Sequence, residues 1–125
     1  VGTVQGRMPT RRWTVKDRIV VIMGTGEVNK AHAGAMYAVN SLKHGWMKDV
    51  KLFFFGSAEA LLLEDPDLQE LVREFQRQDR TPVACRFIAD HEKTSEGLAD
   101  LGVAVEYVGE QISDLIKDGY VPLVW

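Results

Sequence analysis

The sequence contains a single cysteine, Cys85, among 125 residues. One cysteine cannot form an internal disulfide, which excludes both a disulfide-stabilised scaffold and the cysteine pair of a thioredoxin-type redox site. Long apolar runs are also absent: the longest, residues 19–23 and 52–55, are far shorter than the roughly 20 residues that span a membrane. We therefore expect a protein outside the membrane, located in the reducing cytoplasm.

Excess positive charge and the common catalytic motifs are missing as well. Lys and Arg number 15 against 18 Asp and Glu, which argues against a basic surface for nucleic acid. No Gly-x-Ser-x-Gly elbow occurs, and the Gly24-Thr25-Gly26 turn matches neither a dinucleotide fingerprint nor a P-loop. The three histidines have no metal-ligand spacing. We expect no nucleic-acid partner, no metal ion and no cofactor.

Two regions differ in composition. Residues 1–17 are irregular and basic, and Trp13 lies among their arginines. This composition predicts an N-terminal arm that is either flexible or packed on a neighbouring subunit, where the large aromatic side chain would find a surface. Residues 18–125 have the length and apolar content of one domain with a proper core.

Within the domain, strand-like apolar runs alternate with helix-like segments. The predicted strands are residues 18–24, 50–56, 82–87, 103–108 and 120–125. The predicted helices are residues 30–43, 58–63, a segment from Asp67, 90–101 with a loop near Thr94, and 111–117, with Asn29 and Ser57 as caps of the first two. This alternation predicts a three-layer α/β/α domain with a mostly parallel five-stranded sheet. The first strand is apolar on both faces and should be central, whereas Pro122 favours an edge position for the last.

Functional groups follow the first three predicted strands. The carboxyl ends of parallel strands share one rim of a sheet, where ligands and chemistry gather. Cys85 would lie there near the amino end of the next helix, which favours its thiolate. Backbone N–H groups of the glycine turns would bind a small anion or a sulfur species. The predicted site has Cys85 as its reactive residue and, as its binding residues, Gly24, Thr25, Gly26, Gly56, Ser57, Arg86 and His91.

Each of these residues also has a plainer interpretation. A lone cysteine is most often a small buried hydrophobic residue. The Gly24-Thr25-Gly26 segment also suits a tight turn between strand and helix. His91 follows Cys85 by six residues and could swing toward the thiol or remain an exposed helix residue.

The order of these elements resembles a known family. An apolar strand leads into a Gly/Thr turn and the alanine-rich stretch 31–38, and then come Phe53-Phe54-Phe55-Gly56, Pro82-Val83-Ala84-Cys85 and Asp118-Gly119-Tyr120-Val121. Over residues 18–125 the chain is similar to the DsrE/DsrF-like (DsrEFH-like) family of small sulfur-relay proteins. The segment 86–91 departs from the sulfur-transfer members, because it is bulkier and more charged.

The resemblance implies a five-stranded α/β/α domain that forms homo-oligomers, often trimers or hexamers. It also implies that a cysteine at the position of Cys85 carries sulfur as a persulfide between donor and acceptor proteins. The first hypothesis is therefore a cytoplasmic sulfur carrier or sulfurtransferase. The alternative is a non-catalytic oligomeric module that binds a small anion or a nucleotide, with a structural Cys85. An enzyme that uses the rim with a bound metal or nucleotide is a third interpretation.

Overall fold

A five-stranded parallel sheet forms the centre of the domain. The computed structural model describes residues 15–125, so most of the predicted arm, residues 1–14, lies outside the described residues. The strands are β1 (Arg18–Met23), β2 (Asp49–Phe54), β3 (Val83–Cys85), β4 (Ala104–Glu106) and β5 (Val121–Val124). Their order is β4-β3-β2-β1-β5, and every pairing is parallel. The predicted fold is confirmed, with β1 inside the sheet and β5, which contains Pro122, at an edge.

Within residues 15–125, six helices connect the strands. They are α1 (Val28–Lys43), α2 (Ser57–Glu64), α3 (Pro66–Gln76), α4 (Arg86–Glu92), α5 (Ser95–Asp100) and α6 (Gly109–Lys117). Because each strand-to-strand connection passes through at least one helix, neighbouring strands can run parallel.

The two faces of the sheet are covered unequally, since successive side chains of a strand point to opposite faces. One face, here called the helix-rich face, packs Val21, Leu52 and Ala84 against residues of α1, α2, α3, α4 and α5 in a large buried cluster. The other, here called the α6 face, has a smaller buried cluster made of Val20, Phe53, Cys85, Val108 and Tyr120. Helix α6 covers this face with no fully buried residue.

The starts of the first two helices differ from the prediction. Helix α1 begins at Val28 and is capped by Glu27, whose carboxylate accepts hydrogen bonds from the N–H groups of Asn29 and Lys30. Its longer side chain reaches two unpaired donors of the first turn, so Asn29 is not the cap. Helix α2 begins at Ser57, and Gly56, with a φ of 83°, occupies the cap position. A glycine there tolerates the positive φ at little cost.

The third strand is shorter than predicted, and the helix after it starts earlier. Strand β3 ends at Cys85, and Arg86 is already the first residue of α4. The structure has two helices, α4 and α5, where the sequence predicted one over residues 90–101. They are separated at Lys93, which has a φ of 61°, and at Thr94. The predicted loop near Thr94 is thus present, and it lets α5 turn onto the helix-rich face through Leu98.

Candidate functional site

The turns after β1 and β2 lie against each other at the carboxyl rim of the sheet. A Cβ atom added to Gly24 would lie 3.3 Å from the carbonyl oxygen of Phe55, and one added to Gly26 would lie 3.0 Å from the Cβ of Ser57. A side chain at either position would therefore crowd the neighbouring turn, and glycine allows the close approach. The structure brings together the first two segments of the predicted site.

The backbone donors of the first turn are already in use. The N–H groups of Gly24 and Thr25 donate to the carbonyl oxygen of Trp125 at 2.7 Å and 3.2 Å. The Thr25 hydroxyl accepts a hydrogen bond from the N–H of Glu27. Any anion at this turn would have to compete with Trp125, whereas Gly26 and Ser57 are exposed to solvent.

Cys85 is the last residue of β3 and occupies the cap position of α4. Its side chain packs on the α6 face beside Val20 and Phe53, and only 6% of the residue is exposed. The thiol thus lies at the strand end that the sequence predicted. In the single chain, however, the apolar cluster covers most of it.

Arg86 and His91 are held by other contacts. The guanidinium of Arg86 donates to the carbonyl oxygen of Val105 in β4 and lies 6.0 Å from the ring centroid of Tyr107. His91 is exposed, and its ring stacks on Phe87 at 6.5 Å between centroids. Within residues 15–125, no hydrogen bond or ion pair connects either side chain to the thiol. Arg86 is therefore close to Cys85 only because it is the next residue in the chain.

Sequence reasoning missed a residue in this region, Glu59. It belongs to the first turn of α2, is 1% exposed, and neither carboxylate oxygen accepts a hydrogen bond of ordinary geometry from residues 15–125. Burial raises the pKa of this carboxyl group from 4.5 to about 7. The nearby backbone N–H groups of Gly56 and Cys85 lower that pKa in part, and the charge of Glu92 raises it.

Glu59 thus connects the ends of the second and third strands. Gly56 follows β2, Cys85 ends β3, and the Glu59 carboxyl lies close to both backbones. The sequence did contain a signal for this burial. Glu59 is the only charged residue in the segment 57–63, and it lies three residues before Leu62 on the same face of the helix.

A groove of 530 Å³ opens on the α6 face next to the Cys85 cluster, here called the α6 groove. Its lining includes Phe53, which is a member of the Cys85 cluster, together with Val83 and Leu115. Its lining also includes polar residues: Lys51, Thr81, Gln111, Asp114 and Asp118. Its volume is in the range of small-molecule sites.

Residues 15–125 contain no cluster of three or more His, Cys, Asp or Glu side chains suited to a metal ion. In the same part of the chain, none of the helices combines the length and apolar character of a membrane span.

Comparison with known proteins identifies the fold. No family model matches the sequence, and no curated protein matches it either. Among solved structures, a conserved protein of unknown function from Bacteroides thetaiotaomicron, BT1422, is similar with a TM-score of 0.80 and 24% identity, over 87% of this chain and 95% of that one. The ychN protein from E. coli is similar with a TM-score of 0.64 and 13% identity, over 86% of this chain and 99% of that one. The chain therefore has a DsrE-like α/β fold.

Proposed function

We propose that the protein is a sulfur carrier that holds sulfane sulfur on Cys85. The observation that carries the proposal is the position of Cys85, at the end of the third parallel strand and directly before helix α4. In the transfer step, the Cys85 thiolate attacks the outer sulfur of a donor persulfide, RSSH. A new sulfur–sulfur bond forms on Cys85 while the sulfur–sulfur bond of the donor breaks, and the donor leaves as a thiolate that takes up the proton lost by the Cys85 thiol.

The direct test is intact mass after incubation with a persulfide donor. The wild type should gain one sulfur atom, which dithiothreitol should remove. Cys85→Ser is the matched control, because it preserves size and should gain nothing. An unmodified wild type, or an adduct that survives Cys85→Ser, would show that Cys85 is not the sulfur site.

Burial of Cys85 favours a second candidate function, a non-catalytic assembly module in which the thiol is structural. Only 6% of Cys85 is exposed, and the N–H groups of Gly24 and Thr25 already bind Trp125. Alkylation with iodoacetamide separates the two candidates. Modification of the native protein supports the carrier, whereas modification only after unfolding supports the structural role.

The expected partners are further copies of this chain, in trimers or hexamers, and sulfur donor and acceptor proteins of the cytoplasm. Large apolar side chains that are mostly exposed in the single chain support a protein partner: Phe87 and Tyr107 are each 68% exposed, and Val124 is 72% exposed. Light scattering during size-exclusion chromatography measures the assembly. A monomer at micromolar concentration would contradict the homo-oligomer.

A further inference from the structure

We propose that the α6 groove is the docking site for the N-terminal arm of the same chain. Trp13 would pack between the apolar walls of the groove, and an adjacent arginine, Arg12, would pair with Asp114. The groove is built entirely from residues 15–125, whereas residues 1–14 of the arm lie outside the described residues. The docking does not depend on sulfur chemistry at Cys85.

The α6 groove lies between helix α6 and the neighbouring strands β2 and β3. Phe53 of β2 and Val83 of β3 are level in the sheet and point to the α6 face. Leu115 of α6 lines the groove together with them. Val83 and Leu115 are only partly buried, so a further apolar side chain between them would remove more apolar surface from water.

The chain enters the sheet beside this groove. Arg18, the first residue of β1, donates a hydrogen bond to Asp118, which lines the groove. Phe53 is level with Ile22, four residues beyond Arg18, which is about 13 Å along a strand. Trp13 precedes Arg18 by five residues, a length of chain that spans up to about 17 Å, so Trp13 can reach Phe53 if the chain turns back over the sheet.

This attachment favours the arm over a separate molecule as the occupant. A segment that is joined to the chain next to its binding site binds intramolecularly, at an effective concentration in the millimolar range for a short linker. A second copy of the chain at micromolar concentration has no such advantage. The groove is therefore assigned to the arm of its own chain.

The charges of the arm and of the groove are complementary. Residues 1–14 contain three arginines and no Asp or Glu. Asp114 is exposed in the groove lining and forms no ion pair within residues 15–125, whereas Lys51 of the same lining lies 3.5 Å from Asp49. An arginine next to a tryptophan suits this arrangement, because the guanidinium can pair with the carboxylate while the indole ring packs on apolar side chains.

Photo-crosslinking of the full chain tests the docking. Trp13 is replaced by the photoreactive aromatic amino acid p-benzoylphenylalanine, and the cross-linked peptides are identified by mass spectrometry after brief irradiation. We expect the cross-links to concentrate on Phe53, Val83 and Leu115. Cross-links on the helix-rich face, or cross-links spread evenly over the domain, would overturn the docking.

Two charge reversals in the photoreactive chain test the role of Asp114. Asp114→Lys replaces an attraction by a repulsion, so the yield of groove cross-links should fall by about threefold or more. Asp100→Lys is the matched control, because it changes the net charge equally at an exposed position of α5, on the helix-rich face. Equal yields from the two variants would overturn the pairing, and circular dichroism checks that both variants fold.

Isotope labelling identifies which chain supplies the arm. Unlabelled and nitrogen-15-labelled photoreactive chains are mixed in equal amounts, refolded together and irradiated. Docking within one chain gives groove cross-links in which both peptides carry the same label. Pairs of peptides with different labels would overturn the assignment to the same chain and would show that the arm crosses to a second copy.

Discussion

The two faces of the sheet differ in what holds them together. The helix-rich face buries side chains such as Phe54 and Phe75 in a cluster to which five helices contribute. The α6 face buries five residues, and the helix side chains that pack on them, Ile88 of α4 and Ile112 and Leu115 of α6, are only partly buried. Apolar burial therefore stabilises mainly the helix-rich face, whereas the α6 face leaves room for the α6 groove and for Cys85. Variants on each face that lower stability by different amounts would test this division.

Two carboxyl groups, those of Asp49 and Glu59, differ in their hydrogen-bond partners. Asp49, which begins β2, accepts hydrogen bonds from the Tyr120 hydroxyl and from Nε of Arg80. Burial acts to raise the pKa of Asp49, but Tyr120, Lys51 and Arg80 together outweigh it and lower that pKa. Glu59 lacks such partners among the described residues, and its pKa rises to about 7. The partners of Asp49 therefore favour its charged form, whereas burial of Glu59 favours its neutral form.

The largest expected effect is on the helix-rich face. Phe75→Ala in α3 removes a ring that is 1% exposed and leaves a cavity, so we expect a loss of about 3–5 kcal/mol in the free energy of unfolding. Urea denaturation followed by circular dichroism measures it. A loss below about 1 kcal/mol would mean that this face does not dominate stability.

Glu59→Gln should produce the next largest effect, and only at high pH. The pKa of Glu59 rises from 4.5 to about 7 on folding, so the folded chain holds a proton that the unfolded chain has lost. The wild-type free energy of unfolding should therefore fall as the pH rises from about 4.5 to about 7, and then level off. Glutamine resembles the protonated acid and is not subject to this fall. We expect the variant to be more stable than the wild type by about 1–3 kcal/mol at pH 8 and nearly equal at about pH 4.

Urea denaturation at both pH values measures this difference. Glu92→Gln, at an exposed position, is the matched control and should show little of it. If Glu59→Gln is less stable than the wild type at pH 8, the carboxylate has a partner that stabilises its charged form.

A smaller effect is expected on the α6 face. Leu115→Ala shortens a half-buried side chain that lines the α6 groove, where the lost contacts are fewer than in the core. We expect a loss of about 1 kcal/mol, against about 2–5 kcal/mol for Leu62→Ala, whose side chain is fully buried on the opposite face. Parallel denaturation curves compare the two variants. Equal losses would remove the distinction between the faces.

The smallest effect should come from the ion pair at the end of α6. Arg18 Nη1 lies 3.2 Å from Oδ2 of Asp118, whose side chain is 68% exposed. Asp118→Asn should cost less than about 1 kcal/mol, because solvent and salt screen exposed pairs. The difference should shrink further in about 1 M salt. A large loss that persists in high salt would show that this contact, rather than apolar packing, holds α6 on the sheet.

The sequence by itself determined the order of the elements and the place of the candidate site. Apolar runs of strand length, separated by helical segments, allow few arrangements other than a parallel sheet. The rim that carries Gly24, Gly56 and Cys85 follows from that arrangement, because the carboxyl ends of parallel strands lie together. Local sequence patterns were sufficient for these features.

Only the tertiary structure decided which groups at that rim are free. The carbonyl of Trp125 occupies the donors of Gly24 and Thr25, and Val105 binds Arg86, through contacts between distant parts of the chain. The burial of Glu59 near the backbone N–H of Cys85 likewise depends on how α2 packs over the strand ends. Hydrogen-bond partners, burial and the resulting pKa depend on three-dimensional neighbours, which a local pattern of residue types does not contain.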